Sequence, residues 1–301
     1  MILEKMNGFL NLNKPQNFTS HDCVAKLRKI LKTKKIGHGG TLDPLATGVL
    51  PIAVGKATRL LQFLPSEKAY KARIKFGIQT TTDDLEGEII RQQEVKDLTL
   101  AKIMDILPEF IGEIDQIPPA YSAIKKDGKK LYDLARKGAV IDIPIRKVFI
   151  NKIEILNWQE SDYPELDLKI VCGGGTYIRA IARDLGEKIG TGATLANLQR
   201  TLSCGMTLEN SLTFEDVINQ KTEEKLSLIN LDFPLQNMPK IYLNEEESKN
   251  WLLGQKISKI TEANYQFYCT YNHKNQFIGI SEQRETIETN IKPKIVIYPN
   301  L

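Results

Sequence analysis

The sequence predicts an α+β fold with a mixed or antiparallel sheet. Segments whose apolar residues alternate, as they do in half-buried strands, are mixed with segments of helical periodicity, without the strict βαβ order of a doubly wound protein. With 301 residues, of which 42% are hydrophobic, the chain can bury a sizeable core in one large domain and a small second one.

Near the N-terminus, strands are predicted from alternating apolar residues, and helices from N-cap residues and from apolar residues at helical spacing. Residues 8–12 alternate as a short strand. The pair Thr19-Ser20 offers an N-cap for a helix over 22–31. Further along, the same criteria predict a buried strand, a short helix and an alternating strand at 49–55, 56–63 and 69–77.

The middle of the chain continues the mixture of helices and strands. A helix is predicted over 98–111, and strands are predicted over 140–145, 148–158 and 166–172. A glycine turn then leads into a helix over 176–189.

A domain boundary is predicted near residues 234–239, which divides the chain into segments 1–236 and 237–301. The second segment has a predicted helix and four predicted strands, at 245–253 and at 241–243, 266–270, 277–281 and 294–298. A β-rich segment of about 60 residues is small for independent stability, so we expect it to dock on the main body.

Cysteine and histidine usage argues against disulfides and metal sites. The cysteines are far apart and form no CxxC pair: Cys23, Cys172, Cys204 and Cys269. The three histidines add no cluster with metal-ligand spacing. The charged N-terminus, and the lack of any apolar run of bilayer length, predict a cytoplasmic protein that is neither secreted nor membrane-spanning.

Basic residues are clustered although the overall charge is modest. The formal net charge of +4 permits a nucleic-acid partner without requiring one. One run of six cations contains no acid: Lys26, Arg28, Lys29, Lys32, Lys34 and Lys35. Another run lies between residues 125 and 137. Such runs can be solvated helix faces, but the first leads directly into a glycine-rich loop, which favours a polyanionic substrate.

That loop, at 37–51, is built around the carboxylate of Asp43. Three upstream glycines permit conformations that a Cβ forbids, and Pro44 holds the residues before it away from helical geometry. A lone Asp-Pro pair is usually a turn or a cap. The length of this run, and its passage into an apolar strand, favour a reactive group aimed by its loop.

A second glycine turn, at 173–175, opens the helix predicted over 176–189. Helix N-termini of this kind bind anions, and Arg179 is the candidate residue there. Strand-turn-helix units are common, so an ordinary surface ion pair is an equal interpretation of Arg179. Cys172, before the turn, is interpreted as a packing residue. Neither glycine turn has a nucleotide-binding pattern.

Taken together, these stretches resemble the TruB family of tRNA pseudouridine synthases. The motifs lie in the family's order between residue 8 and about residue 205: Lys14-Pro15 with Thr19-Ser20, His38-Gly39-Gly40-Thr41-Leu42-Asp43-Pro44, Val54-Gly55-Lys56-Ala57-Thr58, Lys68-Ala69-Tyr70, Pro118-Pro119-Ala120-Tyr121-Ser122-Ala123 and Gly175-Thr176-Tyr177-Ile178-Arg179. The resemblance implies the pseudouridine synthase fold, with a central mixed, largely antiparallel sheet flanked by helices. It also implies that the last segment is a small β-rich PUA-type RNA-binding domain.

The activity implied by this resemblance is the isomerisation of uridine 55 in the T-arm of tRNA to pseudouridine. The reaction breaks the N1–C1′ bond, turns the uracil and rejoins it through C5, without redox change, metal or cofactor. By resemblance Asp43 is the catalytic nucleophile, which either attacks C1′ or assists a glycal-like intermediate. Arg179 is implied to pair with Asp43, and Tyr70 to lie against the uracil.

Residues that contact the RNA are implied in the same way. Because a base in the T-loop is stacked, it must be flipped out, and His38 corresponds to the family residue that inserts into the RNA. Tyr177 and Leu198 are expected to line the uracil pocket, and Lys14 to contact the RNA. The alternatives are a structural histidine at position 38 and ordinary sheet packing for Tyr70.

Two positions depart from the family pattern. Asn17 stands where the family commonly has glycine, but asparagine tolerates left-handed geometry, so the turn can form. Thr81 replaces an aspartate and has no assigned role, whereas Asp84 matches the family's later aspartate.

Two other functions are consistent with parts of this pattern. One is a guide-RNA-dependent pseudouridine synthase subunit that works with partner proteins, and the other is an RNA-binding or RNA-folding module without catalysis. The intact set of Asp43, Tyr70 and Arg179 argues against an inactive module. We expect a monomer that acts on tRNA without an obligatory protein partner.

Overall fold

The computed structural model describes residues 6–121, 143–259, 265–283 and 290–297, together with the backbone of two short strands at 125–126 and 129–130. The α-helices in these ranges are Ser20–Ile30, Leu100–Ile106, Ile178–Ile189, Phe214–Thr222 and Glu245–Leu252. The 3₁₀ helices are Gly55–Phe63, Leu107–Phe110 and Phe233–Leu235. None of the helices described is long and apolar enough to cross a membrane.

The strands of the described residues are numbered in chain order. They are β1 (Gly8–Lys14), β2 (Ile36–His38), β3 (Thr47–Val54), β4 (Lys68–Phe76), β5 (Ile78–Thr80), β6 (Ile89–Gln92), β7 (Gly112–Gln116), β8 (Lys125–Lys126), β9 (Lys129–Lys130), β10 (Arg146–Gln159), β11 (Glu165–Cys172), β12 (Ala193–Ser203), β13 (Met206–Thr207), β14 (Lys240–Tyr242), β15 (Ile257–Ser258), β16 (Phe267–Tyr271), β17 (Phe277–Gln283) and β18 (Asn290–Val296).

A nine-stranded sheet forms the centre of the described part of the chain. Its main order is β1-β3-β12-β4-β11-β10-β7, with β2 paired to β3 and β13 paired to β12. All of these pairs are antiparallel except β3 and β12, which run parallel at Thr47 and Gln199. The sheet is therefore mixed and largely antiparallel, and the predicted α+β fold class is confirmed.

Alternation along β4 shows how the sequence directs the two faces of this sheet. Tyr70, Ala72, Ile74 and Phe76 are buried in a core that they share with the helix Ile178–Ile189. Successive side chains of a strand point to opposite faces, so the residues between them lie on the outer face. That face carries ion pairs such as Arg73 with Asp167 and Lys75 with Glu165.

Several predicted elements differ in type or extent from those observed. The helix expected over 98–111 is α-helical only to Ile106, and a 3₁₀ helix follows in which Pro108 lacks the N–H of a regular turn. The short helix at 56–63 is also 3₁₀. Of the strand predicted at 140–145, residues 140–142 lie outside the described residues and 143–145 form no strand.

A second sheet, of five strands, occupies the C-terminal segment from Lys240 onward. Its order is β14-β16-β17-β18-β15, and the predicted β-rich character of this segment is confirmed. Trp251 lies fully buried against it, and its indole N–H donates to the Ser281 hydroxyl over 2.9 Å. The position of the boundary between 236 and 237 stays a prediction.

The C-terminal sheet docks on the outer face of the central sheet, as expected from its size. Val49 and Ala53 of β3 belong to one apolar cluster with Ile280 and Ile295. All four side chains are buried. Burial of an aliphatic side chain stabilises a fold by about 1.5–3 kcal/mol, so this shared core holds the two sheets together.

Candidate active site

A pocket of about 280 Å³ lies where the Asp43 loop meets β4, β12 and the start of the helix Ile178–Ile189. Its lining residues are Gly40, Thr41, Leu42, Asp43, Lys68, Tyr70, Gly175, Thr176, Tyr177, Ile178, Arg179 and Leu198. Five of the seven residues predicted for the site are among them. The other two, Lys14 and His38, lie outside this lining.

The turn before the first helix anchors the Asp43 loop. The Ser20 hydroxyl accepts a hydrogen bond from the Leu42 N–H over 2.8 Å and donates to the Leu42 carbonyl over 3.2 Å. The Asn17 N–H donates to the Pro44 carbonyl over 2.9 Å. Asn17 has a φ of 65°, a left-handed geometry that asparagine tolerates. The expected turn therefore forms without glycine.

Lys14 lies beneath this loop rather than on an open surface. Its side chain is fully buried, and Nζ donates to the carbonyls of Pro15 (3.0 Å), Phe18 (2.5 Å) and Pro44 (3.3 Å). Burial lowers the pKa of Lys14. Because its ammonium group is enclosed by these carbonyls, the position favours a structural role over the predicted contact with RNA.

Arg200, in β12, holds the loop from the sheet. Its Nε donates to the Val49 carbonyl over 2.7 Å, and its Nη1 and Nη2 donate to the carbonyls of Thr41 (3.2 Å) and Gly40 (3.1 Å). The side chain is fully buried. Since Gly40 and Thr41 precede Asp43 and Val49 follows it, one guanidinium fixes both ends of the loop.

Gly48 permits the close approach of β3 to β12. Its φ is 98°, and a Cβ at this position would lie 2.2 Å from the carbonyl oxygen of Arg200. A larger residue would therefore force the two strands apart at the point where Arg200 reaches the loop.

Arg179, near the start of its helix, contacts Asp43 as the resemblance implies. Its Nη2 lies 2.9 Å from Oδ2 of Asp43, and its Nη1 lies 3.5 Å from Oδ2 of Asp84. The guanidinium also donates to the carbonyls of Thr82 (2.8 Å) and Tyr121 (3.1 Å). The side chain of Arg179 is 6% exposed and that of Asp43 is 37% exposed. The arginine is thus fixed in the interior while the carboxylate reaches the pocket.

The turn that carries Asp84 is held by a second arginine of the same helix, Arg183. Its Nη1 lies 2.9 Å from Oδ2 of Asp83. Burial raises the pKa of Asp83 to about 6, although the charge of Arg183 opposes this shift. The hydroxyl of Thr81 accepts a hydrogen bond from the Glu88 N–H over 3.2 Å. Thr81 therefore stabilises the β5–β6 connection.

Two tyrosines line the pocket, and a glutamine that was not predicted holds one of them. Tyr70 pairs with Arg200 across β4 and β12, and burial raises the pKa of its phenol while the charge and hydrogen bond of Arg200 oppose that shift. The backbone of Tyr177 accepts from and donates to the side-chain amide of Gln116 over 3.1 and 2.8 Å. Gln116 is buried, and no motif or periodicity in the sequence marks it.

His38 ends the short strand β2, beside the pocket rather than in its wall. Its side chain is partly buried, and Nδ1 is enclosed without a hydrogen-bond partner among the described residues. Burial, followed by the positive charge of Arg200, lowers the pKa of His38. The imidazole is therefore uncharged at neutral pH, which suits stacking more than a phosphate contact.

Arg200 was not predicted as a site residue, although the sequence contains one indication that its side chain is buried. Arg200 lies two residues after Leu198 in β12, so alternation places both side chains on the same face of the strand. A charged residue on an inward face needs buried partners, and those partners lie about 150 residues earlier in the chain.

The described residues around the pocket include no cluster of metal-ligating side chains. Across the residues that the structure describes, no group of three or more His, Cys, Asp or Glu side chains has the geometry to hold a metal ion. The four cysteines are free and buried, and burial raises the pKa of Cys172 to about 11.

The sequence of this chain matches two family models and is similar to proteins of known name. Family models match residues 28–178, "TruB family pseudouridylate synthase (N terminal domain)", and residues 239–297, "Pseudouridine synthase II TruB, C-terminal". A protein called tRNA pseudouridine synthase B from Nostoc sp. is 52% identical over 98% of this chain and 99% of its own. One of the same name from Gloeothece citriformis is 52% identical over 97% of each chain.

A solved structure has a similar fold. A chain in the "Crystal Structure of a Cbf5-Nop10-Gar1 Complex" matches with a TM-score of 0.74 and 25% identity, covering 97% of this chain and 85% of that chain.

The central sheet, the pocket and these similarities together define a pseudouridine synthase, an isomerase that acts on uridine. Two relatives match at 52% identity over nearly the full chain, and the two family models cover about half of the chain at 28–178 and the C-terminal sheet at 239–297. The chain belongs to the TruB family of pseudouridylate synthases.

Proposed function

We propose that this pseudouridine synthase isomerises uridine 55 in the T-arm of tRNA, with Asp43 as the nucleophile toward a flipped-out nucleotide. The observation that carries the proposal is the 2.9 Å ion pair between Asp43 and Arg179 at a pocket that Tyr70 also lines. The name of the curated relatives, tRNA pseudouridine synthase B, supports tRNA as the substrate.

Asp43 is suited to attack because its charge is stabilised while its carboxylate stays accessible. A carboxylate nucleophile must be ionised, and the buried guanidinium of Arg179 is its ion-pair partner at 2.9 Å. Arg179 engages Oδ2, which leaves the attack on C1′ to the other carboxylate oxygen. The N1–C1′ bond breaks with its electron pair on the uracil, and a glycal route would begin from the same contact.

The second half of the reaction requires the uracil to turn within the pocket. C5 then bonds to C1′, the bond between C1′ and Asp43 breaks, C5 loses its proton and N1 gains one, so the product is an isomer. A volume of about 280 Å³ lies just below the range of about 300–1,000 Å³ for drug-sized ligands, and suits one base. Tyr70, Tyr177 and Leu198 supply aromatic and apolar walls against which a base can turn.

Entry of the base requires flipping, at a cost of a few kcal/mol. We propose that the uncharged imidazole of His38, beside the pocket, fills the gap that the base leaves in the RNA stack. We propose that the protein acts as a cytoplasmic monomer. Lys14 is proposed to support RNA binding indirectly, through the loop that its ammonium group holds.

A guide-RNA-dependent subunit is the second candidate function. The observation that favours it is the similarity to a chain crystallised in a Cbf5-Nop10-Gar1 complex. That similarity is at 25% identity, whereas the relatives called tRNA pseudouridine synthase B match at 52%, so the stand-alone function has the stronger support.

One experiment separates the two candidates. The purified chain is incubated with an unmodified tRNA transcript, and pseudouridine is mapped by carbodiimide modification and primer extension. We expect a single new stop that reports pseudouridine at position 55, without added RNA or protein. Product at another position would contradict the T-arm assignment, and product formed only with a guide RNA and partner proteins would establish the second function.

A further inference from the structure

Exposed positive charge is concentrated on the helix Ser20–Ile30 and the turn that follows it. We call this region the basic surface and define it by six exposed cations: Lys26, Arg28, Lys29, Lys32, Lys34 and Lys35. The sequence contains no acidic residue between Asp22 and Asp43. None of the six forms an ion pair within the described parts of the chain.

Many other surface lysines do have acidic partners. Lys96 pairs with Glu94, Lys188 with Glu109 and Lys249 with Glu245, and all three lysine side chains are well exposed. Neutralised pairs of this kind are ordinary on a protein surface. A cluster of like charges without partners repels itself, so the basic surface is kept at an electrostatic cost that an anionic partner would relieve.

The basic surface is rigidly connected to the Asp43 loop at both ends. At the start of the helix, Ser20 exchanges hydrogen bonds with Leu42 of that loop. Past its end, the Lys35 carbonyl accepts from the Gly55 N–H over 2.8 Å, and the chain continues into β2, which ends at His38. An eleven-residue helix is about 16 Å long. The cations lie in its second half and in the turn after it, on the segment that leads into β2.

The individual cations are also held in place. Arg28 donates from Nη2 to the Ile36 carbonyl over 3.1 Å, which fixes the return from the helix to β2. Lys26 lies over the rings of Phe18 and Phe214, 5.3 and 4.3 Å from their centroids. Lys29, Lys32, Lys34 and Lys35 are exposed and available to an external anion.

We propose that the basic surface binds the phosphate backbone of the substrate RNA outside the flipped nucleotide, and that this contact adds affinity independently of the pocket. The proposal rests on the proposed function only in that the substrate is RNA. Its occupant is a phosphate backbone because the surface offers several exposed point charges without acidic partners, rather than an enclosed pocket, which is the pattern of backbone contacts.

The test compares two triple variants of the full-length protein that change the net charge equally. Lys29→Gln, Lys32→Gln and Lys34→Gln remove charge from the basic surface, and Lys96→Gln, Lys188→Gln and Lys249→Gln remove the same charge from paired positions. Binding of a tRNA transcript is measured at several KCl concentrations, and thermal melting shows that both variants are folded.

We expect the basic-surface variant to bind at least tenfold more weakly near 0.1 M salt. Its slope of log K against log[salt] should fall by roughly 2–3, since each lost phosphate contact lowers the slope by about 0.9 on a duplex. The paired-position variant should retain the wild-type slope. The single-turnover rate at saturating tRNA should be unchanged in both.

Equal affinities and slopes in the two variants would overturn the proposal and make the basic surface a solvated face. This outcome is distinct from failure of the proposed function. A wild-type protein that makes no pseudouridine at position 55 would refute that function, while the comparison of RNA binding between the two variants would still decide the role of the basic surface.

Discussion

Two buried arginines hold the Asp43 loop, one from the helix that borders the pocket and one from the central sheet, and they use different partners. Arg179 contacts the carboxylates of Asp43 and Asp84, whereas Arg200 contacts the carbonyls of Gly40, Thr41 and Val49. The first therefore acts on the charge and aim of the reacting group. The second acts on the path of the backbone that presents it.

The largest effect should follow from Asp43→Asn, which removes the group that both arginines serve. We expect the single-turnover rate to fall by at least roughly 10⁴-fold, the scale on which essential catalytic groups act. Affinity for tRNA should stay within a few-fold, because backbone contacts supply most of it. Both quantities are measured on one preparation, and substantial turnover by this variant would remove Asp43 as the nucleophile.

Arg179→Ala should have the next largest effect and should act mainly on the chemical step. Loss of one member of a buried charge pair typically costs about 3–5 kcal/mol, which corresponds to a rate lower by roughly two to four orders of magnitude. Single-turnover kinetics at saturating tRNA isolate this step. A variant that binds tRNA more weakly but reacts at the wild-type rate would make Arg179 a phosphate contact instead.

Arg200→Lys should reduce both rate and stability, because lysine cannot reach three carbonyls with one planar group. We expect the rate to fall by roughly one to two orders of magnitude, since a hydrogen bond to a charged group contributes about 1.5–3 kcal/mol. The melting temperature should fall as well. The matched control is Arg73→Lys, at a half-exposed ion pair with Asp167 on the outer face of the sheet.

Arg200→Lys could lower the single-turnover rate without lowering the melting temperature. In that case Arg200 would not act through the backbone path of the loop, and its contrast with Arg179 would be lost. The same holds if the Arg73 control lost as much rate as the Arg200 variant, because a generic change from arginine to lysine would then explain the effect.

The smallest effect concerns pH and tests the helix side through Asp83, the ion-pair partner of Arg183. Burial raises the folded-state pKa of Asp83 from 3.8 to about 6. Between these values the native state binds more protons than the unfolded state, so this group makes stability fall as pH rises. Asp83→Asn should remove that contribution.

The measurement is the free energy of unfolding in urea from pH 4 to pH 7 for both proteins. The difference, wild type minus Asp83→Asn, should decrease with pH by up to about 1.4 kcal/mol per unit and level off above about pH 6.5. A difference that is constant with pH would show that Asp83 titrates normally. Arg200→Lys should keep the wild-type pH dependence.

Elements whose signals are local were predicted well. Thr19 is the N-cap of the first helix and forms a capping box with Asp22, and the alternation over 69–77 became β4. Asn17 adopts the left-handed geometry expected for its turn. Each of these depends on contacts within a few residues, which the order of residue types describes directly.

The strand β12 was missed because its signals are not local. Polar residues interrupt its alternation, and its register with β4 shifts between Leu195 and Asn197 and again between Arg200 and Leu202. Its buried polar side chains are satisfied at a distance, as where the Thr194 hydroxyl lies 3.1 Å from that of Thr80. Without those partners the segment does not have the pattern of a central strand.

The sequence by itself determined the glycine-rich loop, the α+β class and, through family resemblance, the residues that meet at the pocket. Only the tertiary structure decided that Lys14 lies beneath the loop and that Arg200 holds it. The acceptors of Arg200 lie 151 to 160 residues away along the chain. A buried cation is tolerated only where oxygen atoms surround it, and which oxygens those are depends on how distant strands pair rather than on the spacing of residues.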